Sequence, residues 1–159
     1  MPSNIRRVVT GHDANGHAVV TIDETRELEY GGRAGTARTV AWTTESFPVD
    51  NSTDQDTSGR QVGTTLANGT VFRVVDFEPG CAPRVHRTDS IDYAVVISGE
   101  IDMELEAGEV AHLKAGDVLV QRGTVHNWVN KGSETCRIAF VLIDARPVTV
   151  GGKLLNAQG

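Results

Sequence analysis

Short β-branched segments separated by turn residues run through most of this chain, and they constrain its fold more than any other feature. The segments are "HAVVTID", "TVAWTT", "TVFRVVDF", "DYAVVIS", "IDMELE", "VAHLK", "DVLVQ" and "RIAFVLID". Between them, "NG", "PG", "SGE", "AGE" and "AGD" supply turns. No segment keeps a helical apolar period over three turns, although "TRELEYG" could form one short helical turn. The pattern predicts an all-β protein, either an antiparallel barrel or a sandwich.

The length of 159 residues is enough for one domain with a hydrophobic core. We expect residues 1–70 to supply N-terminal strands and a polar loop that pack on a barrel formed by residues 71–150. Residues 151–159 are expected to be a poorly anchored C-terminal tail. The polar segment 49–60, "VDNSTDQDTSGR", is either a loop that covers a pocket or a passive connection.

Charge and composition exclude several classes of partner. The net charge is −6 and the pI is about 5.3, so the chain has no basic surface for nucleic acid or an anionic membrane. Neither a signal-peptide pattern nor an apolar stretch of transmembrane length is present, which predicts a cytoplasmic protein. The two cysteines, Cys81 and Cys136, are not closely spaced, and we expect both to be structural thiols.

Side-chain alternation brings candidate functional residues to one face of the predicted strands. His86 and Thr88 share one side of their segment. Asp92 shares a face with the small and apolar Ala94 and Val96, so we expect this carboxylate to point inward. An inward carboxylate is costly unless it is paired or bound to a metal.

A second histidine has a similar context, whereas three others do not. His126 and Trp128 have the same parity in "VHNWVN", so an inward histidine there brings an indole into the same pocket. His12 and His17 lie in a turn-like segment and are expected to be solvated. His112 is expected on the outer face of a hairpin strand.

The segment from about 71 to 145 resembles the cupin superfamily, in which two short motifs on facing strands build one metal site inside a small β-barrel. The first motif, G-x5-H-x-H-x3/4-E-x6-G, aligns here with Gly80, His86, Thr88, Asp92 and Gly99. The second, G-x5-P-x-G-x2-H-x3-N, aligns with Gly116, Gln121, Gly123, His126 and Asn130. The resemblance implies a cupin-type antiparallel β-barrel, the double-stranded β-helix or jelly roll.

Three departures from these motifs alter the site that the resemblance implies. Thr88 replaces the second histidine, Asp92 replaces the glutamate, and Gln121 replaces the proline with one residue fewer before it. The remaining ligand set is His86, Asp92 and His126, which suits a divalent Fe, Mn, Zn or Ni ion and leaves positions open for substrate. The alternative is a cupin without metal, in which these three residues are hydrogen-bonded in the core.

Several further residues are candidates for contacting a substrate. Trp128 could stack on a planar ligand or fill the barrel, Gln121 could direct its amide to the pocket, and Thr88 is a hydrogen-bond donor. Arg73 and Asp76 have opposite parity, so one of them points inward, but parity does not decide which. Three arginines near the motifs could hold a substrate carboxylate or lie on the surface: Arg84, Arg87 and Arg122.

By its resemblance to small single-domain cupins, the chain is predicted to be a small-molecule enzyme. The first hypothesis is a metal-dependent lyase, a decarboxylase or dehydratase, that acts on an oxygenated aromatic or polyketide-type acid. In this hypothesis His86, Asp92 and His126 are also the catalytic residues. The alternatives are an Fe(II)-dependent dioxygenase and a non-catalytic ligand-binding cupin. A homodimer is also expected, because the apolar segment "TVAWTT" predicts a strand edge that requires covering.

Overall fold

A computed structural model describes residues 3–159, and the described chain is all-β. The first six strands are β1 (Asn4–His12), β2 (Ala18–Glu27), β3 (Glu29–Tyr30), β4 (Thr36–Thr44), β5 (Thr70–Phe77) and β6 (Ser90–Ser98). The other seven are β7 (Glu100–Leu105), β8 (Val110–Lys114), β9 (Val118–Arg122), β10 (His126–Val129), β11 (Cys136–Asp144), β12 (Val148–Val150) and β13 (Lys153–Leu155). Within residues 3–159, no helix is long and apolar enough to cross a membrane.

The strands form two main antiparallel sheets. One sheet has the order β3-β4-β5-β11-β6-β9, and the other has the order β10-β7-β8. Two separate hairpins, β1-β2 and β12-β13, complete the architecture. The predicted jelly-roll class is confirmed, and each of the eight predicted segments coincides with a strand, with at most one residue outside it. The suggested helical turn in "TRELEYG" is wrong, because this segment runs through the end of β2 and through β3.

The main hydrophobic core lies between the two sheets. Val71, Val96 and Ile138 of the larger sheet pack in one buried cluster with Ile101 and Met103 of the smaller sheet. Strand alternation produces this arrangement, because every second residue of β6 and β11 is buried. Burial of these branched side chains supplies much of the driving force for folding.

The N-terminal hairpin covers part of the outer face of the larger sheet. Ile5 and Leu28 pack there against Val74 in a second apolar cluster. On the same outer face Asp76 is buried and accepts hydrogen bonds from Arg137, with a shortest nitrogen–oxygen distance of 2.7 Å. Of Arg73 and Asp76, whose side chains have opposite parity on β5, Arg73 is therefore the one that points inward. Asp76 lies on the outer face, beneath the N-terminal segment.

The C-terminal segment is held to the rest of the domain. Residues 148–155 form the β12-β13 hairpin, and the backbone of Gln158 pairs with that of Arg87 through two hydrogen bonds of 2.8 and 3.0 Å. The expectation of a poorly anchored tail is therefore wrong. Its polar residues gave no indication of this backbone pairing.

The polar segment 49–60 lies beside a cleft of about 740 Å³ that it forms with β1, β2 and β4. Asp56 fixes the segment through a two-bonded ion pair with the buried Arg7. We call this space the loop cleft. The segment therefore borders a cavity, as one of the two sequence-based alternatives proposed, but that cavity does not include His86 or His126.

Candidate active site

His86 and His126 are brought together by a short antiparallel bridge between the two motif segments. The backbone N–H of His86 donates to the carbonyl of His126 at 3.1 Å, and the N–H of His126 donates back at 3.0 Å. Directly opposed residues place their side chains on the same face of an antiparallel pair. The two imidazole rings accordingly lie with their centroids 4.3 Å apart.

Backbone carbonyls determine which nitrogen of each ring carries the proton. Nδ1 of His86 is 3.0 Å from the carbonyl oxygen of Arg84, and Nδ1 of His126 is 2.9 Å from that of Thr124. A carbonyl can only accept a hydrogen bond, so Nδ1–H is the donor in both rings. In the neutral rings, Nε2 is then the unprotonated acceptor. Both histidines are therefore oriented to accept a proton or to bind a ligand through Nε2.

Asp92 reaches the same cavity from the neighbouring strand β6 and is held by a chain of hydroxyl groups. The Ser90 hydroxyl donates to the Asp92 carboxylate at 2.6 Å, and the Thr88 hydroxyl is 2.8 Å from that of Ser90. Since Ser90 uses its proton on Asp92, Thr88 donates to Ser90. Thr88 therefore supports a carboxyl group at the position where the family motif has a histidine.

One cavity, here called the histidine cavity, contains these groups and has an interior volume of about 90 Å³. Its apolar wall includes Trp128, Phe77 and Phe140, whose rings pack on one another with centroid distances of 5.6–6.4 Å. The remaining lining residues are Arg33, Thr36, Arg38, Thr64, Arg73, Val75, Arg84, His86, Thr88, Asp92, His126 and Leu142. The cavity therefore combines proton-transferring groups with aromatic surface.

Positive charge dominates the polar lining of the histidine cavity. It contains four guanidinium groups, those of Arg33, Arg38, Arg73 and Arg84, but Asp92 is its only acidic residue. Arg33 is engaged in the structure, since it donates to the Trp128 carbonyl at 2.8 Å and stacks over the Phe77 ring. An excess of fixed cations in a partly closed space attracts anions and repels cations.

Burial and these cations shift the titration of the catalytic candidates. Burial, together with smaller effects of nearby positive charges, lowers the pKa of His126 to about 4. Burial also lowers the pKa of His86, and the charge of Arg84 adds to that effect. The pKa of Asp92 is raised, because its burial outweighs the Ser90 hydrogen bond and the attraction of Arg73. Both imidazoles are therefore neutral at pH 7.

Not all of the predicted substrate-contacting residues line the histidine cavity. Trp128, Thr88 and Arg73 line the histidine cavity, whereas Gln121 does not. The Gln121 amide instead donates to Thr124 at 3.1 Å and lies against the Met103 sulfur, so its proposed substrate contact is not supported. Its place on β9, opposite Asp92, directs it into the packed core.

Of the other arginine candidates, only Arg84 reaches the histidine cavity. The buried Arg87 is 3.9 Å from Glu106, and Arg122 is exposed on β9. The histidines expected outside the site do lie outside it: His12 and His17 are exposed, and His112 pairs with Asp102 on the surface.

Comparison with known proteins agrees with this architecture. The cupin domain model matches residues 73–143. Phomopsin biosynthesis cluster protein C' of Diaporthe leptostromiformis is 41% identical over 94% of this chain and 84% of its own length. A cupin-domain-containing oxidoreductase of Aspergillus ruber, fogC, is 35% identical over 97% of this chain and 79% of its own. The chain belongs to the cupin family.

The cupin fold is also shared with an RmlC-like cupin from Shewanella frigidimarina. That structure superposes with a TM-score of 0.50 and 18% identity, over 76% of this chain and 85% of its own. At this identity the likeness concerns the fold alone. Of the two relatives, the first is named for a biosynthesis cluster and the second as an oxidoreductase.

The three-ligand metal site implied by the cupin motifs does not fit the residues present. The two histidines are suitable donors, because metal-binding imidazoles commonly donate their other N–H to a carbonyl. Across residues 3–159, however, no group of three or more His, Cys, Asp or Glu side chains is arranged to hold a metal. The surrounding guanidinium groups also oppose another cation. The expected site at His86, Asp92 and His126 is therefore not supported as a ligand set.

Sequence reasoning missed several members of the histidine cavity. Arg33, Arg38 and Thr64 precede the motif region, and no motif pointed to them. Ser90 could have been found, because it lies two residues before Asp92 and has the same parity.

Proposed function

We propose that this cupin is a lyase that acts on a small oxygenated organic acid by proton transfer. The observation that carries the proposal is the pair of imidazoles whose Nδ1–H groups are fixed by backbone carbonyls. This arrangement leaves two Nε2 acceptors beside a buried carboxyl group in one cavity. An anionic substrate suits the excess of arginines in the same cavity.

Two lyase reactions are compatible with these groups. In a dehydration, the bond between the α-carbon and its hydrogen breaks and Nε2 of a histidine takes the proton. A carbon–carbon double bond then forms as the β-hydroxyl leaves as water, with a proton supplied by Asp92. In a decarboxylation, the bond to the carboxylate breaks, carbon dioxide leaves, and the resulting carbanion takes a proton from the same acid.

Binding of an anionic substrate should raise the pKa of both histidines and so improve them as general bases. The charges of Arg84 and Arg33 contribute to the low pKa of both His86 and His126. An acid bound among the arginines offsets those charges, so the pKa of each imidazole rises towards neutrality. A general base works best when its pKa is near the operating pH. Substrate binding therefore makes the histidines better bases.

The test is turnover of a panel of aromatic and alkyl 3-hydroxy and 3-keto acids, followed by mass spectrometry for loss of water or carbon dioxide. We expect His126→Asn and His86→Asn each to lower kcat by about 10²- to 10⁴-fold, the usual contribution of a general base. His112→Asn, an exposed histidine outside the cavity, is the matched control and should retain activity. Full activity of both cavity variants would rule out the proposed chemistry.

A second candidate is an oxidoreductase, because the Aspergillus ruber relative is named as one. Such an enzyme would consume dioxygen or an electron carrier in proportion to product, whereas a lyase consumes neither. Oxygen uptake measured beside product formation separates the two. Tight binding of an acid without turnover of any panel member would favour a ligand-binding cupin.

We further propose that the protein is a cytoplasmic homodimer, although not through the edge that the sequence suggested. β3 pairs with β4 only at Ala37 and Arg38. Further along that edge, Arg7 donates to the Ala41 carbonyl at 3.1 Å, and the Thr57 hydroxyl accepts from the Thr43 N–H at 3.0 Å and donates to its carbonyl at 2.8 Å. The outer face of β6 and β9 instead exposes a group of apolar side chains: Tyr93, Val95, Ile97, Val118 and Val120. A patch of this kind is typical of a subunit interface. Light scattering of the parent and of Val120→Lys tests this, with a monomeric parent as the contradicting result.

A further inference from the structure

Arg73 is a buried cation with few partners. It lies on β5 with 7% of its surface exposed, and its side chain donates one hydrogen bond, from Nη2 to the Thr64 carbonyl at 3.2 Å. Within the described range 3–159, no carboxylate lies within ion-pair distance of its guanidinium. A guanidinium has five N–H groups, and leaving such a group buried without partners is costly.

Arg73 borders the histidine cavity. Among the described residues, the fully enclosed side-chain nitrogens and oxygens without partners belong to Arg87, Asp89 and Gln121, and none belongs to Arg73. The donors that Thr64 does not use are therefore not sealed in the core, and the histidine cavity is the space beside them.

Arg7 shows how the same chain treats an arginine of equal burial. Arg7 is 5% exposed, and its guanidinium binds Asp56 through two bonds of 2.6 and 2.8 Å and also contacts Glu24. Pairing of this kind is the usual condition for burying an arginine. Among the described residues Arg73 has no ion pair of this kind, and it borders the histidine cavity.

The neighbours of Arg73 define the chemistry of the missing partner. Arg38 is exposed and Arg84 is half-buried, so positive charge continues from the surface into the cavity. The lining beside Arg73 is apolar, since Phe140 pairs with it across β5 and β11 and Leu142 follows on the same face of β11. An anion with an apolar body fits both surfaces.

We propose that Arg73 is the carboxylate-binding residue of this cupin, and that it holds a monocarboxylate whose apolar body packs on the aromatic wall. The planar guanidinium binds a carboxylate through two parallel hydrogen bonds, which fixes both position and orientation. Arg38 and Arg84 attract the anion towards this position.

A consequence follows that rests on the proposed lyase function. A carboxylate held by Arg73 loses this ion pair if it departs as neutral carbon dioxide, so the interaction favours the ground state over that transition state. Proton abstraction at the α-carbon instead increases negative charge on the carboxylate, and Arg73 then binds the transition state more strongly. The bound carboxylate is therefore retained, and the reaction is the dehydration written above.

The binding test uses isothermal titration calorimetry of the full chain with benzoate and with benzamide, its neutral isostere. We expect benzoate to bind the parent more tightly than benzamide, and Arg73→Met to weaken benzoate binding by at least about tenfold. Arg73→Lys should give an intermediate affinity, because lysine keeps the charge without the two-bonded geometry. Arg122→Met removes an exposed arginine outside the cavity and should bind benzoate as the parent does.

The outcomes separate this proposal from the proposed function. Equal benzoate affinity in the parent and Arg73→Met, or no preference for benzoate over benzamide in the parent, overturns the assignment. If Arg73→Met fails to fold, the Arg73→Lys comparison decides the question in its place. Benzoate binding that depends on Arg73, without turnover of any panel acid, supports the carboxylate site and refutes the lyase. Release of carbon dioxide from a panel acid overturns carboxylate retention, whereas loss of water supports it.

Discussion

His126 should make the free energy of unfolding of this cupin depend on pH, and His126→Asn should remove that contribution. Its ring is 4% exposed, and burial lowers its pKa from 6.5 to about 4. The unfolded chain therefore binds a proton at this residue at a higher pH than the folded chain does. Stability is consequently lost as pH falls from about 6.5 to about 4, and this loss is complete below the folded pKa.

The size of the effect follows from the pKa difference. A shift of one unit corresponds to about 1.4 kcal/mol, so the displacement to about 4 predicts a total loss of about 3 kcal/mol. Most of it, about 2.5 kcal/mol, is lost between about pH 7.5 and about pH 4.5. Asp92 acts in the opposite direction, since its raised pKa makes the folded state gain stability as pH falls.

The assay is urea unfolding of the parent and of His126→Asn at the two pH values. The difference between the two proteins isolates His126, because Asp92 and the surface groups titrate in both. We expect the free energy of unfolding of the parent to fall by about 2.5 kcal/mol more than that of the variant. His112→Asn controls for a surface histidine whose pKa is raised by Asp102. Equal pH dependence of the parent and His126→Asn would refute the assigned burial and charge of this ring.

Three further results are expected. Gly99→Ala should lower the free energy of unfolding, measured by urea denaturation, by about 2 kcal/mol or more. Gly99 has a φ of 74°, and an added Cβ would lie 2.7 Å from the Thr135 carbonyl oxygen. An unchanged urea midpoint would contradict this close approach. Asp76→Asn should cost about 2 kcal/mol by the same assay, since it weakens the charge-assisted bonds from Arg137, and a neutral result would show that the N-terminal segment is not fixed there. Dialysis against a chelator should leave the thermal midpoint and benzoate binding unchanged, whereas a drop in either, reversed by a divalent ion, would restore the metal hypothesis.

The sequence predicted the fold well because both strand alternation and turn chemistry are local signals. The segment "VAHLK" became β8 without any change of bounds, and the inward parity of Asp92 and His126 placed both in one cavity. These assignments needed only the two-residue period of a strand and the spacing of two cupin motifs.

The parts that were not predictable depend on contacts between distant residues. Arg33 and Arg38 enter the histidine cavity from the N-terminal region, and no pattern connects them to His86. The tail was misjudged because Gln158 is held by its backbone, which leaves no trace in side-chain composition. The metal set was inferred from motif spacing, but spacing does not show the four guanidinium groups that line the same cavity.

Nitrogen-15 NMR of the imidazole rings tests most directly whether two neutral histidines present Nε2 to a cavity that binds organic acids. At neutral pH, His86 and His126 should both carry their proton on Nδ1, and benzoate should shift both Nε2 resonances. The His126 ring should stay neutral well below the ordinary histidine pKa, with a midpoint of about 4 in the free protein. An Nε2–H tautomer in either ring, or Nε2 resonances that do not respond to benzoate, would show that these histidines are not the acceptors of an acid-binding cavity.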